Sequence, residues 1–187
     1  DMPERYGVTL HNLGENYLLI GDLKTAQQVT QQATKIFKTV DNKQVLTSCY
    51  KVFGQIAFER KDFKGAEEYF NEALAISDEL GKDSQKEATF DVYLMLAKIY
   101  HQQGQRSEEE LMLNKALLLA GDNVLLSQER QAYTQLVNHY FFYKEYELAH
   151  KTFDAFSLIN EKIYEQQKIE MANMMEQVLQ TIKVANE

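Results

Sequence analysis

Phe53-Gly-Gln-Ile-Ala-Phe-Glu-Arg-Lys-Asp-Phe-Lys-Gly-Ala-Glu-Glu-Tyr-Phe-Asn-Glu-Ala-Leu-Ala-Ile76 is the stretch whose reading decides the fold. It reads as a helix, a tight polar turn at Lys61-Asp62, and a second helix. Small residues stand where two antiparallel helices must touch, at Gly54, Ala57, Ala66 and Ala73. Large ones fill the spaces between, at Phe53, Phe63, Phe70 and Leu74.

The same arrangement recurs on both sides. Before it stand Leu10, Leu13-Gly14 and Tyr17, a turn at Gly21-Asp22, then Ala26, Thr30 and Ala33. After it come Tyr93, Leu96-Ala97, Tyr100, a turn at Gly104-Gln105, then Glu109, Leu113 and Ala116. A fourth set is Tyr133, Leu136-Val137, Tyr140, Ala149, Phe153 and Phe156. Glu109 occupies a small-residue position, which predicts a helix held further from its mate. Val137 and Phe156 replace small residues, as suits a terminal unit.

Composition agrees with long helices. The 187 residues include one proline, Pro3, and eight glycines. Alternating Val/Ile/Thr-rich runs bounded by turns, the mark of strands, are missing. Ser84-Gln-Lys-Glu87 and Ser107-Glu-Glu-Glu110 read as capping boxes. Gly81 and Gly121 read as residues just past helix ends, in the left-handed conformation that favours glycine. Asp41-Asn42 and Asp122-Asn123 read as connecting turns.

A net charge of −8 disfavours nucleic acid. No apolar run approaches the roughly 20 residues of a membrane span. A single cysteine, Cys49, excludes an internal disulfide and suits a reducing compartment, so a cytoplasmic location is expected. A chain that opens with Asp1 and stops within a helical pattern is read as an excerpt of a longer protein. His11, His101, His139 and His150 lack metal-ligand spacing, and no Gly-rich phosphate loop occurs. Neither a catalytic site, a metal nor a cofactor is therefore expected, and Cys49 reads as a near-core residue.

The aromatic, Leu-Gly, Tyr, then Ala, Phe, Ala pattern resembles the tetratricopeptide repeat from about Gly7 to Asn160. The resemblance implies an all-α, right-handed superhelical solenoid of four helix pairs followed by a long C-terminal helix. The units are placed at about 5–40, 44–80, 85–120 and 124–160, with a capping or coiled-coil helix over 161–187. Gly14 to Gly54 is 40 residues, Gly54 to Ala97 is 43 and Ala97 to Val137 is 40, against a usual unit of roughly 34. Arrays of this long spacing are similar to those of bacterial signalling proteins and motor light chains.

Such solenoids hold a peptide or a helix on the concave face of their first helices. Helical spacing places His11, Asn12, Glu15, Lys51, Gln55, Lys98, His101, Gln135, Asn138 and Phe141 there. The rest of the aromatic run Tyr140 to Tyr143 reads as core. The lysine, asparagine and arginine clamp by which some family members grip acidic chaperone tails is missing. His11, Glu15, Val52, Asp91 and Met95 stand at its positions.

From Tyr146 to Glu187 there is neither glycine nor proline. Tyr164, Met171, Met175, Val178, Ile182 and Ala185 recur in steps of four and three, interrupted by Lys168. That is the period of a coiled-coil seam. Met171, Met175, Val178 and Ile182 are the candidate homodimer seam. The layout resembles the repeat region upstream of a GGDEF-type diguanylate cyclase or a histidine kinase. The alternatives are a peptide-pheromone receptor of the quorum-sensing type, or a passive assembly scaffold.

Overall fold

The computed structural model describes residues 2–81, 85–121 and 126–185. Among them every regular element is an α-helix: α1 (Met2–Leu19), α2 (Leu23–Thr39), α3 (Lys43–Glu59), α4 (Phe63–Leu80), α5 (Lys86–Gln102), α6 (Arg106–Gly121), α7 (Leu126–Phe142) and α8 (Tyr146–Ala185). The fold is an all-α helical-repeat solenoid. Two compact units divide the chain, one up to Ala116 and one from Leu117 onward.

Each helix pair closes through the same three-residue turn. Its middle residue is left-handed: Gly21 at φ 81°, Lys61 at 62°, Gly104 at 69° and Lys144 at 62°. The amide after it reaches back five residues, from Asp22 to Tyr17, Asp62 to Ala57, Gln105 to Tyr100 and Glu145 to Tyr140, at 2.8–2.9 Å. These bonds cap the carbonyls that a helix end leaves open. Asp22 and Asp62 then start the next helix, accepting from the amides of Thr25 and Gly65 at 3.0 Å. Asn42 opens α3 the same way, accepting from Val45 at 3.2 Å, directly after left-handed Asp41.

In the first unit, α1 packs on α2 and α3 on α4, while α1, α3 and α5 meet side by side. The crossing of α3 and α4 is set by Gly54. A Cβ there would come within 2.6–2.8 Å of the Phe70 ring, so only glycine lets that ring lie on the α3 backbone. Phe70 is consequently fully buried, with Ala66 and Ala73 beside it. In the first pair Thr30 takes the place of the ring and blocks a Cβ at Gly14. Phe37 restores the lost volume from the other end of α2, its ring lying against Gly7. The adjoining core joins Leu10, Ala33, Phe37, Leu46 and Cys49.

Glu109, on α6, is buried and its carboxylate lies 3.1–3.2 Å from Nδ1 of His101 on α5. A polar contact thus stands where the other pairs use alanine.

In the second unit α7 packs on α8. Ala132, Leu136, His139, Tyr140, Ala149 and Ile159 are buried. The His139 ring stands edge-on to Tyr140 and tilted against Tyr143, at 5.3 and 4.9 Å between centroids. α8 runs for 40 residues, about 60 Å at ~1.5 Å per residue.

Three sequence expectations need correction. Gly121 is the last residue of α6 and not one past its end, and its φ is not left-handed. Ser107 lies inside α6, which begins at Arg106, so the first intrahelical bond runs from Glu109 to the Gln105 carbonyl. Phe142 is exposed where core was expected; of the run Tyr140 to Tyr143 only Tyr140 is buried. Ser84, Asp122 and Asn123 lie outside the described residues.

Candidate functional site

The side-by-side packing of α1, α3 and α5 leaves a concave groove of about 750 Å3 in the first unit. Its floor is apolar, from Leu18, Leu23, Phe58 and Met95; Glu15, Gln55, Glu59, Lys51 and Lys98 rim it. The repeat explains the arrangement. Glu15, Gln55 and Lys98 each follow the small residue at a helix crossing (Gly14, Gly54, Ala97), so they form one row across three helices. Leu18 and Phe58 stand three residues further on, one turn along the same faces.

Lys51 and Lys98 differ in electrostatic state. The Lys51 ammonium is held at 3.1 Å by Asp91, across from α3 to α5. Lys98 is exposed and has no ion pair among the described residues. Glu15 lies 3.7 Å from Nε2 of His11.

His11 itself is drawn inward. It is buried, with Nδ1 3.8 Å from the Cys49 sulfur. Burial lowers its pKa below the ordinary 6.5, with Glu15 opposing and Lys51 adding to the drop. The place it fills is open because Cys49 is small. Cys49 is itself fully buried, and burial pushes its thiol up to about 11, far from nucleophilic. Asn12 is exposed, and His101 is engaged with Glu109.

Gln135, Asn138 and Phe141 belong to the second unit. Gln135 lines a polar hollow with Ser127, Gln128, Arg130, Gln131 and Thr134. Asn138 is exposed, and the exposed Phe141 ring stands edge-on to Tyr146 at 5.6 Å. Met171, Met175, Val178 and Ile182 are exposed on α8.

Sequence reasoning missed Phe58, Leu18 and Met95. A signal for Phe58 existed: it precedes its turn just as Phe141 does, and it packs on Phe63 at 5.6 Å as Phe141 packs on Tyr146. Among the described residues no His, Cys, Asp and Glu side chains gather as a metal site, and no helix is long and apolar enough to cross a membrane.

Residues 46–120 match the family model described as tetratricopeptide repeat. By structure the chain is similar to aspartyl phosphate phosphatase F from Bacillus subtilis, with TM-score 0.79, 16% identity, and 87% of this chain on 42% of that one. It is also similar to BtubC from P. vanneervenii, with TM-score 0.74, 19% identity, and 86% on 65%. A third is a signal transduction ATPase with numerous domains and a tetratricopeptide repeat sensor from Pyrococcus horikoshii, with TM-score 0.73, 17% identity, and 89% on 25%. The chain thus spans from a quarter to just under two thirds of these proteins' lengths, and at such identities the likeness is one of fold. No curated protein sequence matches it significantly.

Proposed function

Because residues 46–120 match the tetratricopeptide-repeat family model, we propose a protein-interaction domain that holds a peptide or helix of its partner on the α1–α3–α5 face. The groove carries this reading. An apolar floor of Leu18, Phe58 and Met95 takes the anchor side chain, and Lys98, which has no ion pair among the described residues, takes a carboxylate next to it. Lys51 is less available because Asp91 already neutralises it. Anchoring of this kind places most of the affinity in a few buried side chains. The long-spaced array suits a sensor within a larger bacterial signalling protein, and a repeat sensor of the same fold in the Pyrococcus horikoshii neighbour supports the sensor role. An output domain of the GGDEF or histidine-kinase kind rests on family analogy.

The test is selection from a library of short random peptides, followed by calorimetric titration of the selected sequences. We expect sequences pairing a large apolar residue with Asp or Glu. Met95→Glu should abolish their binding and Lys98→Glu should weaken it at least tenfold. Selected peptides that bind both variants as well as the parent would place binding elsewhere.

A second reading is a peptide-pheromone receptor. The amide of Gln55, on the groove rim, favours it, since an amide both donates to and accepts from a peptide backbone. In that case uncharged apolar peptides bind, and Gln55→Ala weakens them.

A further inference from the structure

The distal part of α8 needs a cover. Every residue from Tyr164 to Ile182 is exposed. Met171, Met174, Met175, Val178, Leu179 and Ile182 are each 51–66% exposed. A helical segment without tertiary contacts is marginal in water, and such stretches draw their stability from a buried apolar face. Local polar contacts lie just before the stripe. Gln166 donates to Glu170 at 3.1 Å, and Lys168 lies 3.6 Å from Glu165.

We propose that this stripe is covered by the same stripe of a second copy, with the two helices antiparallel. Three observations select that occupant. Steps of four and three, from Met171 to Met175, Val178 and Ile182, are the period of two helices winding about each other. Between Met171 and Ile182 only Glu176 is charged, so the segment offers little to a partner of opposite charge and little repulsion to its own copy. Lys168 then sets the direction. It continues the seam one step before Met171. In a parallel pair it would face the partner's Lys168 inside the interface, where like charges are costly. In an antiparallel pair centred between Met175 and Val178, Met171 meets the partner's Ile182, Met175 meets the partner's Val178, and the two lysines lie at opposite ends.

Covering six such side chains on each helix removes roughly 1,000 Å2 from water, the lower edge of what specific interfaces bury. An area of that size suits a weak, concentration-dependent dimer. This inference stands apart from the groove, since none of these residues lines it.

Sedimentation of the full chain over a concentration series tests the association. A dimer should form at high micromolar concentration, and Met175→Glu with Val178→Glu should leave a monomer of unchanged helicity. Both residues are exposed, so the variant has no reason to unfold. Direction is read from cysteine cross-linking. Met171→Cys and Ile182→Cys chains should form no disulfide alone and a heterodimeric disulfide when mixed. Buried Cys49 should stay silent in this assay. A parent chain monomeric throughout, or a dimer that survives the double glutamate variant, overturns the interface. Disulfides within either single variant, or none in the mixture, overturn the antiparallel register.

Discussion

The second and fourth helix pairs are built from one plan and end in different states. Both close on a left-handed lysine, Lys61 and Lys144. Both bury an alanine early in the second helix, Ala66 and Ala149. Both carry an aromatic pair around the turn with centroids 5.6 Å apart. Yet Phe70 is fully buried while its counterpart Phe153 is 49% exposed. The residue opposite decides. Gly54 leaves room for a ring on the backbone of α3; the residue at the corresponding repeat position of α7 is Val137, which carries a side chain where Gly54 has none. Displaced, Phe153 stacks on Phe156 at 5.6 Å. One small side chain thus separates an inner repeat from a sticky outer face.

The largest effect should come from the ring itself. Phe70→Ala is expected to cost about 3–5 kcal/mol, as for other fully buried aromatics. Phe153→Ala should cost less than about 1 kcal/mol; urea unfolding of both variants measures the contrast. Next comes the exchange of the deciding residue. Gly54→Val should destabilise by about 3 kcal/mol through overpacking against Phe70. In a Val137→Gly background, Phe153→Ala should cost more than it does in the parent. An unchanged cost in that cycle breaks the explanation.

The helix pairs themselves were legible, because small and aromatic residues repeat at fixed distances from each turn. The fate of Phe142 was not. Hydrophobicity reports what a side chain prefers, while burial depends on whether a facing element is there to cover it. Helix ends were legible to within a residue or two. Gly121 and Ser107 carry end signals that the helix overrides by continuing to, or starting before, them. In the groove, Glu15, Gln55 and Lys98 follow from repeat position alone. The Lys51–Asp91 pair did not emerge, since it joins helices 40 residues apart in sequence. Nor did the burial of His11, which depends on the small Cys49 opposite.

Smaller effects sharpen the shared part of the plan. Lys61→Gly and Lys144→Gly should each stabilise by about 0.5–1 kcal/mol, relieving a left-handed backbone that costs a non-glycine residue energy. Equal gains in thermal unfolding would show that the turns are equivalent although the cores are not. The smallest effect concerns the boundary between the first and second pairs. His11 is held below its ordinary pKa, so its neutral form is favoured on folding. As pH falls through 6.5, the unfolded chain takes up the proton more readily and stability drops. A His11→Asn variant should lose less stability than the parent between pH 7 and pH 5, as followed by urea midpoints.

Cys49 gives the molecule an internal clock. It is the sole thiol, lies between the first and second pairs against His11, and has no exposed surface. A thiol reagent can reach it only when those pairs part. Its labelling rate in native buffer therefore counts those openings directly, without an added probe. If the rate slows when a selected peptide is added, the groove and this seam breathe together.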